Sequence, residues 1–376
     1  MKTLFQSLGL SASQINTSTA LSVLKDIDNK TSTDLKKGFK LSSSPNLLLL
    51  GDSWFAGTTG SAGYGLILAA KLGKNPINCS QSGRTISDVM TRKLGLPVSG
   101  NLPGNITVNP AFANYSAIIN YGLNDIRIGD QPLYTNAYQY KNCSLASYIA
   151  CAAPQSKIIN ARAFTRVGGS IVDLPEYDNF GVEITSGTSY IETTITSRYL
   201  APAFYMTSAS LTDKFTPQVI VDGEVVSGQE INYFKEDTAQ PQEFYMQTVL
   251  VDMGFVATRT VRLIMPTATP SHKFFVAWMA TWNGDEANMR DLLVVSPCLW
   301  DFQTRNIGIA NTASYETYLL VVRGQKEAVK ICQNAGLRVF LHEPITAGEN
   351  LIADNLHLTV HGANTFADEI ISDSIF

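Results

Sequence analysis

The chain of 376 residues contains no apolar run approaching the roughly 18 to 20 residues that a bilayer-spanning helix needs, so no membrane span is expected. It also lacks a dense Lys/Arg stretch, and its formal charge is only -4. Nucleic acid and anionic membrane are therefore poor candidates for its main partner, because both are held by clustered cations. Met1 to Leu10 is a broken hydrophobic segment without a small-residue cleavage pattern, and no signal peptide is expected. The compartment stays open between cytoplasmic and virion-associated, and the several Asn-x-Ser/Thr triplets, such as those at Asn105 and Asn142, are then taken as chance. Cysteine is scarce. Cys79, Cys143, Cys151, Cys298 and Cys332 are odd in number and widely spaced, with no CxxC pair and no histidine at zinc spacing. They read as buried free thiols, not as disulfides or a metal centre.

What is present divides the chain into four stretches. Residues 1–45 form a polar arm rich in Ser, Thr, Lys and Asp, suited to docking on a partner, a second copy of the chain or the main domain. From Asn46 an α/β pattern begins. An apolar strand at Leu47 to Leu50 is followed by a helix over Gly60 to Leu72, a short strand around Ile77 and a strand ending at Tyr121. A helix over Tyr138 to Ala152 closes this part, 46–153. Between 154 and 290 helical periodicity nearly vanishes and β-type alternation takes over. Val219 to Val226 reads as a hairpin, since Asp222-Gly223 supplies the two positive-φ residues of a type I′ turn. Phe244 to Val251, Thr258 to Met265 and Phe274 to Thr281 read as further strands of an inserted jelly roll or β-sandwich. The α/β pattern resumes over 291–376. It comprises a strand at Leu292 to Val295, a helix from Ser314 to Asn334 stopped by Gly336, a strand at Leu337 to Leu341 and a closing helix from Gly362 to Ile371. Strands alternating with helices imply a parallel sheet covered on both faces, with the ligand site at the strands' carboxyl ends.

The chemistry sits in the loops. Gly51-Asp52-Ser53 follows the first strand, and Asp354-Asn355-Leu356-His357 lies near the far end. A serine presented on a turn, with a carboxylate three residues before a histidine, supplies a nucleophile, a base and a group to orient the base. Between them, Ser80-Gln81-Ser82-Gly83-Arg84-Thr85 and Gly122-Leu123-Asn124-Asp125 offer donors for a developing oxyanion. With these four blocks in this order, the chain resembles the SGNH hydrolases, the GDSL esterases and lipases, over 46–153 and 291–376. The continuation Leu358-Thr359-Val360-His361-Gly362 also resembles the family's. The resemblance implies a flavodoxin-like three-layer α/β fold, here interrupted by the all-β insertion. It implies Ser53 as nucleophile, His357 as base and Asp354 as its partner. The oxyanion donors would be the Ser53 and Gly83 backbone N–H groups and the Asn124 side chain. No cofactor and no metal are implied.

One departure is Trp54, where many members carry leucine, and it bears on the shape of the acyl pocket. Asp125 is expected to play a structural part, such as capping the next turn. Of the other histidines, His272 lies in the β insertion, His342 ends a strand and His361 falls just before a helix. SGNH enzymes that carry jelly-roll modules resemble carbohydrate deacetylases, and no hydrophobic lid of the lipase kind is evident. The expected substrate is an O-acetyl ester of a carbohydrate. Two alternatives stand beside it. One is a lipase, thioesterase or arylesterase acting on apolar acyl esters. The other is a non-catalytic glycan-binding protein, such as a virion receptor-binding protein, in which the aromatic-rich sandwich does the work.

Overall fold

The computed structural model describes residues 38–57, 63–80, 115–122, 137–173, 181–206, 214–227, 231–232, 246–269, 274–284, 289–297, 315–344 and 357–374, with Ser82, Ile86, Asp125 and Glu286 as isolated positions. Most of the polar arm, residues 1–37, lies outside that set, as does Cys298.

Among the described residues five strands form a parallel sheet: β1 (Asn46–Gly51), β2 (Asn75–Asn78), β3 (Ser116–Asn120), β4 (Leu292–Val295) and β5 (Val339–His342). Their order is β5-β4-β3-β1-β2. The chain leaves β1 for one neighbour and returns to the other, so the winding direction reverses between β1 and β3, which is where ligands bind in open sheets of this kind.

Side chains alternate across the strands, as the pleat requires. Leu47, Leu49, Ile118, Leu293 and Val295 face one core cluster, shared with α2 (Tyr64–Lys71) and α5 (Val360–Ser374). Leu48, Leu50, Ala117, Ile119, Leu292 and Val294 face the other, shared with α3 (Ala137–Ala152) and α4 (Tyr315–Asn334). Both faces are thus covered, which explains the unbroken leucine run of β1. Helix α4 ends as its sequence indicates. Gly336 adopts φ +79, and the N–H groups of Gly336 and Leu337 donate to the carbonyls of Gln333 and Cys332, a Schellman stop. Helix α2 starts at Tyr64, later than its sequence suggests. A Cβ on Gly63 would lie 2.3 Å from the backbone nitrogen of Gly57, so the chain at Gly63 is extended and pressed against the preceding turn.

Residues 38–45 run along the amino-terminal edge of this sheet as a strap. Ser42 N–H donates to Ser116 Oγ, Lys40 N–H to Asp291 Oδ2, and Asn75 N–H to Pro45 O. Phe39 is fully buried.

The remaining strands form an antiparallel, β-sandwich-like part, a 10-stranded sheet with a small two-stranded one beside it. The hairpin at Asp222-Gly223 is present, with φ +50 and φ +90 at the two turn residues. Two long strands dominate, Tyr190–Met206 and Val251–Ile264. The first has no counterpart among the expected strands. It pairs with Val251–Ile264 along one half and with Phe274–Trp282 along the other. One face encloses its own core, including Ile191, Leu200, Phe204, Val261 and Val276. A bulge at Ala277 turns Ala277 and Trp278 toward the same side, and the face carrying Trp278, Trp282 and Tyr199 joins the α3/α4 cluster. Trp282 Nε1–H donates to Ala335 O at the end of α4, 2.8 Å away.

Candidate active site

The register lines up the exits of four strands. Gly51 pairs with Asn120, Asn120 with Val295, and Val295 with His342, forming one row across the carboxyl edge. Cross-bonds hold the row together. Asp52 N–H donates to Asn120 O at 3.2 Å, and Asn120 Nδ2 donates to Val295 O at 3.0 Å within the core. The loops that carry Ser53, Asn124 and His357 therefore leave the sheet from neighbouring points.

Gly51 ends β1 with no side chain for a steric reason. A Cβ there would meet Phe55 Cβ at 2.6 Å and Asn120 O at 2.9 Å. Helix α1 (Ser53–Ala56) starts immediately after, with Asp52 as its N-cap accepting the Trp54 N–H at 3.0 Å. Ser53 is the first residue of this turn and is 3% exposed. On the other side of the site, Leu358 is buried and Thr359 caps α5, its Oγ1 accepting the Gly362 N–H at 2.9 Å. His357 stands two residues before that cap. Its Nε2 lies 3.0 Å from Ser53 Oγ, although 304 residues separate the two in the chain. That distance allows direct proton transfer from hydroxyl to imidazole.

Gly83, Asn124 and Asp354 lie outside the described residues, but the positions beside two of them do not. Asp125 is buried. Both of its carboxylate oxygens lie 3.2 Å from the Ile86 N–H, and Ser147 Oγ on α3 donates to Ile86 O at 3.0 Å. The peptide three residues after Gly83 is thereby held to the residue that follows Asn124. Buried Gln325 adds a second tie. Its Nε2 donates to Tyr121 O at 2.9 Å, and its Oε1 accepts from Ser296 Oγ at 2.7 Å. Gly122, at φ +127, turns the chain where a Cβ would press on Pro297 and Val321 at about 3.0 Å. The sequence names none of these ties, since each joins residues with no local pattern in common. Burial pushes the phenols of Tyr140 and Tyr148 well up, with the Asp125 charge acting in the same direction, so both stay neutral beside it.

A second Ser–His pair exists, with a carboxylate near it. His342 Nδ1 lies 2.7 Å from Ser374 Oγ, with Glu369 Oε1 3.7 Å from Nε2. His342 and Ser374 are both wholly inaccessible, so the pair fastens α5 to β5 and cannot meet a substrate. His361 is exposed on α5, and His272 is outside the described residues. Trp54 turns away from the site into the sheet core. Among the described residues no group of three or more His, Cys, Asp or Glu side chains is arranged to hold a metal ion, and no helix is long and apolar enough to cross a membrane.

No family model matches the chain, and no curated protein matches it. Solved structures with some likeness include a carbohydrate-binding module in complex with calcium and xylotriose, at TM-score 0.26 and 9% identity over 32% of this chain and 96% of that one. Another is a domain of a multidomain xylanase from the hindgut metagenome of Trinervitermes trinervoides, at TM-score 0.26 and 10% identity over 32% and 92%. A third is a family 35 carbohydrate-binding module from Clostridium thermocellum, at TM-score 0.26 and 10% identity over 34% and 97%. A likeness of this size assigns neither fold nor function to the chain.

Proposed function

We propose that the protein is a serine esterase of the SGNH type, with O-acetyl esters of carbohydrates as its substrate class. The observation that carries this reading is the 3.0 Å contact between Ser53 Oγ and His357 Nε2 at the carboxyl edge of a parallel sheet. In the proposed reaction Ser53 Oγ attacks the ester carbonyl carbon while its proton passes to His357 Nε2. The tetrahedral intermediate collapses, and the departing alkoxide takes the proton back from Nε2. Water then repeats the sequence on the acyl-serine, releasing the acid. Asp354 would accept from the other ring nitrogen. The Ser53 and Gly83 N–H groups and the Asn124 amide would stabilise the oxyanion, a role in which each donor typically contributes about 3 kcal/mol.

Acetate release from acetylated polysaccharides by the purified protein tests the reading, with esters of longer acyl chains as comparison. Ser53→Ala is expected to lower turnover by at least about a thousandfold. Equal turnover by both proteins would overturn it.

A second reading, glycan binding by the antiparallel part, has one observation in its favour. Phe255 is 67% exposed on an excursion between Asp252 and Ala257, with the Arg259 guanidinium 4.9 Å from its ring centroid. A held, exposed aromatic is a surface on which the C–H face of a sugar can stack. Glycan binding by both wild type and Ser53→Ala, without turnover by either, would establish this reading in place of the first.

A further inference from the structure

We propose that Trp54 is a positioning residue for the Ser53–His357 pair and that it does not shape the acyl pocket. This inference rests on the hydrolase reading above. Helix α1 is a single turn of four residues, too short to hold its own orientation. Its direction is set by what Trp54 and Phe55 pack against. Phe55 meets Tyr64 of α2 with ring centroids 4.8 Å apart, and Trp54 meets Phe366 of α5 edge-on at 5.2 Å and 84°. Tyr64 and Phe366 are themselves 5.6 Å apart. Four rings thus tie together three helices. One of these carries Ser53 and another begins just after His357.

The consequence is mechanical. His357 is joined to α5 through buried Leu358 and the Thr359 cap, so a shift of α5 against α1 carries the imidazole with it. The indole is 3% exposed and sits in a cluster with Leu47, Leu49, Ile118 and Ala363. A leucine at position 54 would leave a gap between the two helices. A displacement of about 1 Å at a reacting pair is enough to cost on the order of a hundredfold in rate.

The test uses the full chain and p-nitrophenyl acetate, butyrate and octanoate, with active sites counted by a fluorophosphonate. Trp54→Leu and Phe366→Leu are each expected to lower kcat by about tenfold to a hundredfold. The factor should be the same on all three esters, with KM unchanged within about twofold. The double variant should be no slower than the worse single one, because both changes release the same contact. Trp54→Phe, which keeps an aromatic edge, should recover most of the rate. If Trp54→Leu does not fold, Trp54→Phe and Phe366→Leu carry the same comparison. A changed preference among acyl lengths would make Trp54 a pocket residue and overturn the inference. So would wild-type kcat in both leucine variants while Ser53→Ala stays inert. Turnover by Ser53→Ala equal to wild type would remove the hydrolase reading itself.

Discussion

A missing side chain at position 51 decides how β1 ends, because Phe55 and the Asn120 carbonyl occupy the space a Cβ would take. Asp52 then caps a one-turn helix and leaves Ser53 at its start. The type of residue needed at each of these positions is legible in Gly51-Asp52-Ser53. The reason for it is not, since Phe55 and Asn120 come from two other places in the chain. Cysteine gives a prediction at the same scale. Cys79, Cys143, Cys151 and Cys332 are buried and free. Burial pushes the thiols of Cys79 and Cys151 up to about 12, and that of Cys332 higher still. A raised value keeps the thiol protonated at pH 8, and a protonated thiol is a poor nucleophile. In the native protein at pH 8, at most one of the five thiols should react quickly with an aromatic disulfide reagent, and all five in denaturant. Fast reaction of two or more in the native state would contradict this burial.

At the scale of elements, strong local signals were readable in advance. The α4 stop at Gly336 and the Asp222-Gly223 hairpin are set by backbone conformations that few residues adopt. The strand Tyr190–Met206 was not readable, because it changes partners midway, carries Pro202 and so keeps no single face. Ties between loops were equally hidden. The Asp125 carboxylate accepts from the Ile86 N–H, and Ser147 Oγ donates to the carbonyl of the same residue. Asp125→Ala would leave the buried Ile86 N–H without this acceptor, a loss of about 1 to 3 kcal/mol. Urea unfolding should show that loss, and under the proposed esterase reading acetate release should fall with it. Asp125→Asn retains an acceptor oxygen and should lie between the two. Unchanged stability in Asp125→Ala would mean that the bond contributes nothing.

Over the whole molecule, the antiparallel part and the α/β part share a core. Helix α3 is buried along nearly all of its described length, in one cluster with residues of the parallel sheet and with Trp278, Trp282 and Tyr199. Removing residues 154–290 and closing the gap would expose the surface those rings cover, at about 2 kcal/mol for each large side chain uncovered. The shortened chain should show no cooperative thermal unfolding by calorimetry. A sharp transition would mean that the parallel sheet and its helices are stable alone.

The sequence by itself determined which residues are candidates for the proposed reaction, their order along the chain and the local elements beside Ser53 and His357, because periodicity, capping and turn chemistry act over a few residues. Only the tertiary structure decided that Ser53 and His357 meet at 3.0 Å, that Trp54 faces the core and that Asp125 reaches Ile86. Such distances are set by the packing of helices against a shared sheet, and no local pattern records them.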